Sequence, residues 1–497
     1  MSKLRLLPLV SLIMMVGCAS VAKVDEKQAA NINNAYKNGQ VGTALQALDQ
    51  SFNVQKLDPK KDKIDTTYYL EKGTFLTNLG PAKLQDSTSS FMGADRVLAD
   101  WENQAALSLK MTSAEFSNAL KDMVKFNALY LPRDYEKSIL NLQLAQNHTI
   151  AKRYDLALPG ARRIQEREEI IRDLRAKEYE DSSKKLREQT QNAGKQGISG
   201  GINSVQQIPG YDVSVFNDPE VTKLKNSYQN AAAYYLAGFI FEQQNETSLA
   251  QTSFQRANEL APNASFIKAS LNNLDKKKNT ANNSEVLVVV DSGFLSDVYS
   301  FKATIPFVTP SGPKAVTWVV PSLAKNQIMY NPRNVTLNNK SYPIERVANV
   351  EAMSRRELKD QMPTYIAKAM ASSIVQIVAQ EVASRAIDRS GGGDAVKLLG
   401  KLVTSVAINA LAAGDVDTRM WKSLPSEIYM ARVSLPKGEQ ILSIPTVAGV
   451  KTAKINVTDP YEVVRVRIFA NGEISVSNSN RKLSDDEYSV FKPQAWN

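Results

Sequence analysis

The sequence has very few of the residues that carry thiol, imidazole and metal chemistry. Its 497 residues include one cysteine, Cys18, and one histidine, His148. A single cysteine excludes an internal disulfide and a thiolate metal cluster, and a single histidine excludes any metal site with two imidazole ligands. We therefore predict no metal and no cofactor, and we interpret His148 as a surface or packing residue.

An apolar run long enough to cross a membrane is also missing. The first run, Leu6 to Val16, is shorter than the roughly 20 residues that a spanning helix requires. Lys3 and Arg5 precede it and Gly17 follows, which is the order of a secretory signal. We predict that residues 1–17 are a signal peptide that is removed.

The residues Met15-Val16-Gly17-Cys18 resemble the lipobox of bacterial lipoproteins. The resemblance implies that Cys18 is lipidated and becomes the mature N-terminus, and several acyl chains anchor a protein essentially permanently. Neither Ala19 nor Ser20 is the aspartate that retains enterobacterial lipoproteins in the inner membrane, so the resemblance also implies an outer-membrane protein that faces the periplasm. The alternative is an incidental cysteine in an ordinary signal peptide. Secretion argues against a nucleic-acid partner despite the net charge of +10.

The composition changes at a lysine-rich and asparagine-rich linker, residues 275–284. Before it, apolar residues recur at helical spacing. After it come runs rich in Val and Ile that are typical of strands, namely 286–290, 301–307, 315–320, EIYMARVSL, TAKINV and EVVRVRIF. We predict an α+β multidomain protein with a helical domain at 18–274 and a β-rich, sandwich-like domain at 285–497 that carries a helical insertion at 350–414.

Residues 231–264 match the spacing of a tetratricopeptide repeat. In such a repeat, small residues allow two antiparallel helices to approach, aromatic residues fill the contact and a proline stops the second helix. The matching positions are Tyr234, Gly238, Phe241, Ala250, Phe254, Ala257 and Pro262. Weaker echoes at 34–51, at 69–99 and from Asn127 favour several helix pairs stacked into an α-solenoid, with an irregular bundle as the alternative.

Two further helical segments have alternative interpretations. Residues 161–190 are dense in charge, and we predict a long solvated helix rather than a coiled-coil arm. In the 363–413 segment we predict a helical hairpin that begins at Pro363, breaks at Gly391 to Gly393 and resumes at Asp394. We favour contact of this hairpin with the β-rich domain, and insertion into a membrane is the alternative.

No recognisable catalytic constellation occurs in the sequence. The spacing of Gly393 to Gly400-Lys401 is wrong for a phosphate-binding loop, and Ser182 with Lys185 lacks the accompanying motifs of serine enzymes. We predict no catalytic residue, although a hydrolase whose carboxylates meet only in space is still possible.

The layout as a whole resembles a family of largely uncharacterised Gram-negative outer-membrane lipoproteins. The residues that carry this resemblance are the lipobox, Asp134-Tyr135-Glu136, and Trp421-Lys422-Ser423-Leu424-Pro425 before EIYMARVSLPKGE. Some helical-repeat lipoproteins of the same compartment activate peptidoglycan synthases, which implies a setting in envelope assembly. We expect a non-catalytic adaptor that binds a protein partner of the cell envelope, with a membrane-active protein and an envelope hydrolase as alternatives.

Overall fold

The protein is of mixed α+β class. The computed structural model describes residues 21–22, 26–54, 63–111, 129–276, 278, 280–324, 330–390, 416–479 and 481–484. None of the helices in these ranges combines the length and the apolar character that a membrane crossing requires.

The helices are concentrated in the first half of the chain. Their bounds are α1 Glu26–Lys37, α2 Val41–Phe52, α3 Thr66–Thr77, α4 Leu84–Leu109, α5 Asp134–Ile150, α6 Tyr154–Lys195, α7 Pro219–Thr222, α8 Ala231–Gln243, α9 Thr247–Leu260, α10 Ser265–Asn272 and α11 Val350–Ser390.

Most of the strands follow residue 282. Their bounds are β1 Val21–Ala22, β2 Lys63–Ile64, β3 Ser199–Gly200, β4 Asn283–Ser292, β5 Val298–Thr309, β6 Gly312–Leu323, β7 Asn334–Leu337, β8 Lys340–Pro343, β9 Glu345–Asn349, β10 Glu427–Pro436, β11 Gly438–Thr446, β12 Gly449–Val457, β13 Tyr461–Ile468 and β14 Ile474–Ser477. The strand runs predicted from the sequence correspond to β4, β5, β6, β10, β12 and β13.

These strands form three sheets and one short parallel pair, β1 with β2. A central sheet has the order β14-β13-β4-β10-β9, a second sheet has the order β12-β11-β7-β8, and a third has the order β3-β5-β6. In the central sheet β4 pairs in parallel with β13 and antiparallel with β10.

Consecutive helices pair through small residues. A Cβ atom built on Gly73 of α3 would lie 2.4 Å from the ring of Phe91 on α4, and one built on Gly93 of α4 would lie 2.7 Å from the ring of Tyr69 on α3. Each glycine therefore leaves the space that an aromatic ring of the facing helix occupies. Pairing by close approach, which the sequence indicates for residues 69–99, is present in this helix pair.

The central sheet has a hydrophobic core on each of its faces because side chains alternate along a strand. Val286, Val288 and Val290 of β4 share one core with Leu442 and Ile444 of β11 in the second sheet. The intervening residues of β4, Leu287 and Val289, belong to a core that also contains helical residues. The central sheet thus lies between the helices and the second sheet.

The helical half and the β-rich half both contribute residues to the core that contains Leu287 and Val289. Phe239 of α8 packs edge-on against Tyr461 of β13, with ring centroids 5.3 Å apart. The linker at 275–284 therefore marks a change of secondary structure within one continuous core. Separate folding of the predicted domains, 18–274 and 285–497, stays a prediction.

Two predictions about helices are wrong. α11 begins at Val350, so Pro363 lies inside the helix and does not start it. The helix tolerates this proline because its buried face, which includes Met362 and Ile366, packs into the core. The predicted second arm of the hairpin, from Asp394, lies outside the described residues.

The charged segment 161–190 is part of α6, which is not solvated on all sides. Arg167, Glu168 and Asp181 are buried, together with Ile171 and Leu174. Asp181 pairs with Lys185 of the same helix, as the spacing of these residues indicates, whereas Arg167 and Glu168 bond groups of neighbouring helices, which sequence spacing does not show.

Candidate functional site

The two short motifs of the sequence, Asp134-Tyr135-Glu136 and Trp421-Lys422-Ser423-Leu424-Pro425, meet in space. Glu136 lies in the first turn of α5, where its carboxylate accepts a hydrogen bond from the backbone N–H of Arg133 at 2.9 Å. This bond satisfies a donor that the start of a helix leaves without a partner. The same carboxylate accepts a bond from the Trp421 backbone N–H at 2.8 Å and one from the Tyr130 hydroxyl at 2.5 Å. We call this contact the motif junction.

Trp421 connects the motif junction to the first helix pairs. Its indole N–H donates to the Thr74 hydroxyl of α3 at 2.9 Å, and its ring lies 5.6 Å from that of Phe91 on α4. The next residue, Lys422, donates its backbone N–H to Glu71 of α3 at 2.6 Å. A buried tryptophan with a satisfied N–H combines a large apolar contact with a directional bond.

A network of buried charges extends from the motif junction. Asp134 accepts bonds from Lys137 at 2.7 Å and from Arg175 of α6 at 2.7 and 3.0 Å. Asp134 and Lys137 are 2% and 0% exposed, so their charges are stable only because they are paired. The Lys137 ammonium also lies 3.7 Å from the centroid of the Trp101 ring, a favourable cation–π distance.

The network continues to α11 through two glutamates. Glu178 of α6 accepts bonds from Arg175 at 2.8 Å and from Lys368 of α11 at 2.6 Å. Glu357 of α11 accepts bonds from the Tyr135 backbone N–H at 3.3 Å and from Gln361 at 2.9 Å. α5, α6 and α11 are therefore joined by ionic contacts as well as by apolar ones.

The environment sets the protonation of these carboxyls. Burial alone would raise the pKa of Asp134, but Arg175 and Lys137 outweigh it and hold the pKa well below its ordinary range. The same balance with Arg175 and Lys368 lowers the pKa of Glu178 to about 2. Burial and the neighbouring Asp134 charge raise the pKa of Glu357. The raised pKa of Glu357 reflects confinement beside a second carboxylate, where both cannot ionise freely.

Chemically, the network is suited to holding helices in place. Its carboxylates are bonded to cations or backbone donors and lie out of solvent, whereas a general acid or base must reach a substrate. Within the described ranges no group of three or more His, Cys, Asp or Glu side chains is placed to hold a metal ion.

The seven predicted repeat residues lie in and just after the α8–α9 pair. A Cβ atom built on Gly238 would lie 2.6 Å from the Phe254 ring, so the two helices approach closely at this point. Phe241, Ala250 and Ala257 are buried, and Pro262 is exposed in the turn after α9.

Tyr234 has a polar partner that the sequence does not indicate. Its hydroxyl donates to Glu168 of α6 at 2.5 Å. Burial raises the pKa of Glu168 to about 7, and the bonds from Tyr234 and Gln229 only partly oppose that shift. Tyr234 therefore connects the α8–α9 pair to α6 as well as filling the pair.

His148 is 8% exposed near the end of α5, in agreement with its interpretation as a packing residue. Burial lowers its pKa to about 4. Ser182, also buried, donates its hydroxyl to the Glu178 backbone carbonyl at 2.7 Å, a bond within its own helix. Cys18 and the other residues of the lipobox lie outside the described residues.

Sequence patterns did not identify Arg175, Glu178, Glu357 or Trp101 as members of the site. The local spacings of Asp134 with Lys137 and of Arg175 with Glu178, each one helical turn apart, are the signals that were available. The bonds of Arg175 to Asp134 and of Lys368 to Glu178 form between helices far apart in the chain.

No protein-family model, no curated protein and no solved structure matches this chain.

Proposed function

We propose that this protein is a lipoprotein, anchored in the outer membrane through Cys18 and facing the periplasm, that acts as a non-catalytic protein-binding adaptor or scaffold in cell-envelope assembly. The observation that carries the proposal is the network of ion pairs that connects three helices. Asp134, Arg175 and Glu178 bond groups on α5, α6 and α11, which fixes the relative position of these helices. A rigid frame loses little conformational entropy when it binds a partner.

We further propose a finer description of the two halves. The helix pairs α1–α2, α3–α4, α5–α6 and α8–α9 would form a tetratricopeptide-like solenoid, and the central and second sheets would form a sandwich-like module. The close approach at Gly73 and at Gly238 supports the first assignment, because both glycines face an aromatic ring of the paired helix. The core shared by β4 and β11 supports the second. Membership of the Gram-negative lipoprotein family is part of the same proposal.

The alternative of a membrane-active protein receives less support. The apolar side of α11 in the 363–413 segment is used inside the protein, where Ile366, Met370, Ile374 and Ile377 are buried in the core. Exposing that face to lipid would require breaking existing apolar contacts, which offsets the gain from insertion.

Replacement of the predicted anchor tests the localisation. Cys18→Ser removes the thiol that lipidation requires, so we expect the variant to leave the membrane fraction and to carry no labelled fatty acid. The measurement is metabolic labelling with palmitate followed by fractionation. Acylation of the variant at the wild-type level would refute the anchor.

Crosslinking in cells tests the adaptor. A photo-crosslinking amino acid at Leu107 of α4 or Tyr179 of α6, which are 60% and 52% exposed, should give adducts with an envelope protein. Val447, in the β11–β12 turn and 62% exposed, is the matched control in the β-rich half. Adducts from Val447 alone would contradict partner binding by the helices.

Complementation of a deletion strain separates an adaptor from a hydrolase. His148→Ala should leave complementation close to the wild-type level because His148 is buried and away from any predicted partner surface. Loss of complementation at unchanged protein abundance would replace the adaptor with a catalytic function.

A further inference from the structure

One strand of the third sheet has an open edge in the described part of the chain. The order of this sheet is β3-β5-β6, so β6 has a neighbour on one side only. An unpaired strand edge presents a row of N–H and C=O groups that can pair with another extended chain.

The hydrogen-bond register shows which groups face the open edge. The Pro306 carbonyl of β5 accepts a bond from the Gly201 N–H at 3.1 Å, so it points toward β3 and away from β6. Pro306 lies opposite Ala315 of β6. In an antiparallel pair of strands, two opposite residues either exchange hydrogen bonds with each other or both point their N–H and C=O groups away from the partner strand. The N–H and C=O of Ala315 therefore point to the open edge, as do those of Thr317 and Val319.

Two prolines limit this edge. Pro313 and Pro321 each lie four residues from Thr317, so their backbone groups point to the same edge of β6 as those of Thr317. Because proline has no N–H, the open edge lacks a donor at these two positions. The Pro321 carbonyl also accepts a bond from the Tyr211 hydroxyl at 2.9 Å, which independently places it on that side. The groups available for pairing are therefore those of residues 315–319, which we call the edge window.

The side chains of the edge window leave it unprotected. Ala315 and Thr317 are exposed, Val319 is partly exposed, and none of the three is charged. Natural sheets block such an edge with charged side chains or prolines, and here the two prolines flank the window without interrupting it. The opposite face of β6 is fixed, because the Trp318 indole N–H donates to Ser373 of α11 at 2.9 Å. The edge is therefore a preformed template.

We propose that the edge window pairs with the same window of a second copy of this chain, antiparallel about a two-fold axis at Thr317. The prolines lie symmetrically about Thr317, so this pairing places each Pro313 opposite the partner's Pro321. The positions without an N–H then face each other, and each N–H of the window meets a carbonyl. In an isologous contact residue i meets residue j and residue j meets residue i, and the equal spacing of the two prolines from Thr317 fits that rule. The interface is short, so association depends on concentration.

Cysteine crosslinking tests the pairing in the full chain. Cys18→Ser gives a cysteine-free background in which Thr317→Cys is introduced. Antiparallel neighbours lie about 5.5 Å apart, within reach of a disulfide. We expect a disulfide-linked species of twice the chain mass under mild oxidation. The control is Thr304→Cys, an exposed position on β5 opposite Thr317 but one strand from the edge, which is too far from its counterpart to bridge. Equal crosslinking of both variants, or of neither, would overturn the proposal.

A proline pair provides the second measurement. The N–H of Thr317 faces the open edge and that of Thr304 faces away from β6, so proline at either position removes no bond between β5 and β6. Both variants should remain folded by circular dichroism. In sedimentation experiments we expect Thr317→Pro to abolish the dimer and Thr304→Pro to retain it. A wild-type protein that stays monomeric at the highest concentration, or a Thr317→Pro variant that still dimerises, would also refute the self-pairing edge.

Discussion

Glu168 couples the stability of the protein to pH. The residue is 6% exposed, and burial raises its pKa from 4.5 to about 7. The folded state therefore binds a proton at a pH where the unfolded state has lost it. By linkage, the contribution of Glu168 to the free energy of unfolding falls as pH rises from about 4.5 to about 7 and is level above that range.

We predict that Glu168→Gln removes this contribution. The amide oxygen can still accept the bond from Tyr234, and it carries no charge to desolvate. Relative to the variant, the wild-type protein should lose up to about 3 kcal/mol between pH 4.5 and pH 8. Urea unfolding at several pH values measures the difference. Glu166→Gln, an exposed change on the same helix, is the control, and curves for Glu168→Gln parallel to the wild type would contradict the prediction.

Gly238 is the residue on which the approach of α8 and α9 depends. A methyl group at this position would collide with the Phe254 ring at 2.6 Å, so Gly238→Ala should destabilise the protein by about 1–3 kcal/mol. The control is Gly160→Ala in α6, where nothing lies within 4 Å of the added atom and the change should stabilise by about 0.5–1 kcal/mol. Thermal unfolding of the two variants measures the difference in stability. Equal changes in the free energy of unfolding would show that α8 and α9 can move apart without cost.

At the scale of elements, hydrophobic periodicity predicted a helix or strand correctly where one face of that element is buried and the other is exposed. Helix α9 and strand β5 are examples whose patterns are set by local burial. The short strands β7, β8 and β9 were missed because runs of four or five residues are too short to show a clear alternation, even though β7 and β8 pair with each other. The start of α11 was missed because Pro363 has a first-turn preference, and tertiary contacts override that preference.

Pro363 lies inside α11, where a proline is expected to lower the stability of the helix. A proline inside a helix removes one backbone hydrogen bond, and Pro363 is exposed, so alanine would lose little contact area. Pro363→Ala should raise the free energy of unfolding by about 1–3 kcal/mol. The neighbouring Met362→Ala, at a buried position, should lower it by about 2–5 kcal/mol. A loss of stability in Pro363→Ala would mean that the proline shapes α11.

At the scale of the molecule, Arg432 joins the two halves. Its guanidinium donates two bonds of 2.7 Å to Glu242 of α8 and one of 2.8 Å to Glu285 of β4. Glu242 is buried, so removing the arginine leaves its carboxylate without its main partner. Such pairs fix the helices on the central sheet.

Arg432→Met should therefore destabilise the whole protein by about 3–5 kcal/mol. Adding Glu242→Gln should recover part of that loss because the two residues are coupled. The exposed pair Lys454 with Glu439, 3.0 Å apart, provides the control, and Lys454→Met should cost less than about 1 kcal/mol. Strictly additive effects of the two changes at 432 and 242 would contradict the coupling.

The sequence could indicate that Asp134-Tyr135-Glu136 and Trp421 deserve notice, but not that they touch. The contact of Glu136 with Trp421 depends on how the first helix pairs sit against the segment before β10, which no local pattern encodes. The charges of α6 were misread for the same reason. A buried and an exposed arginine look alike in a sequence, and only the ion pairs with Asp95 and Glu102 distinguish Arg167.

The position of β4 in the central sheet has a consequence for the order of folding. Val288 pairs with Ala431 on one side and with Val464 on the other, and both partners are synthesised long after β4 itself. Closing such long loops is slow, since the entropy is lost before the strand contacts form. During synthesis, β4 is therefore an apolar strand with two open edges, the kind of segment that aggregates unless it is shielded. Both edges of β4 can be paired only after residue 467 has been synthesised.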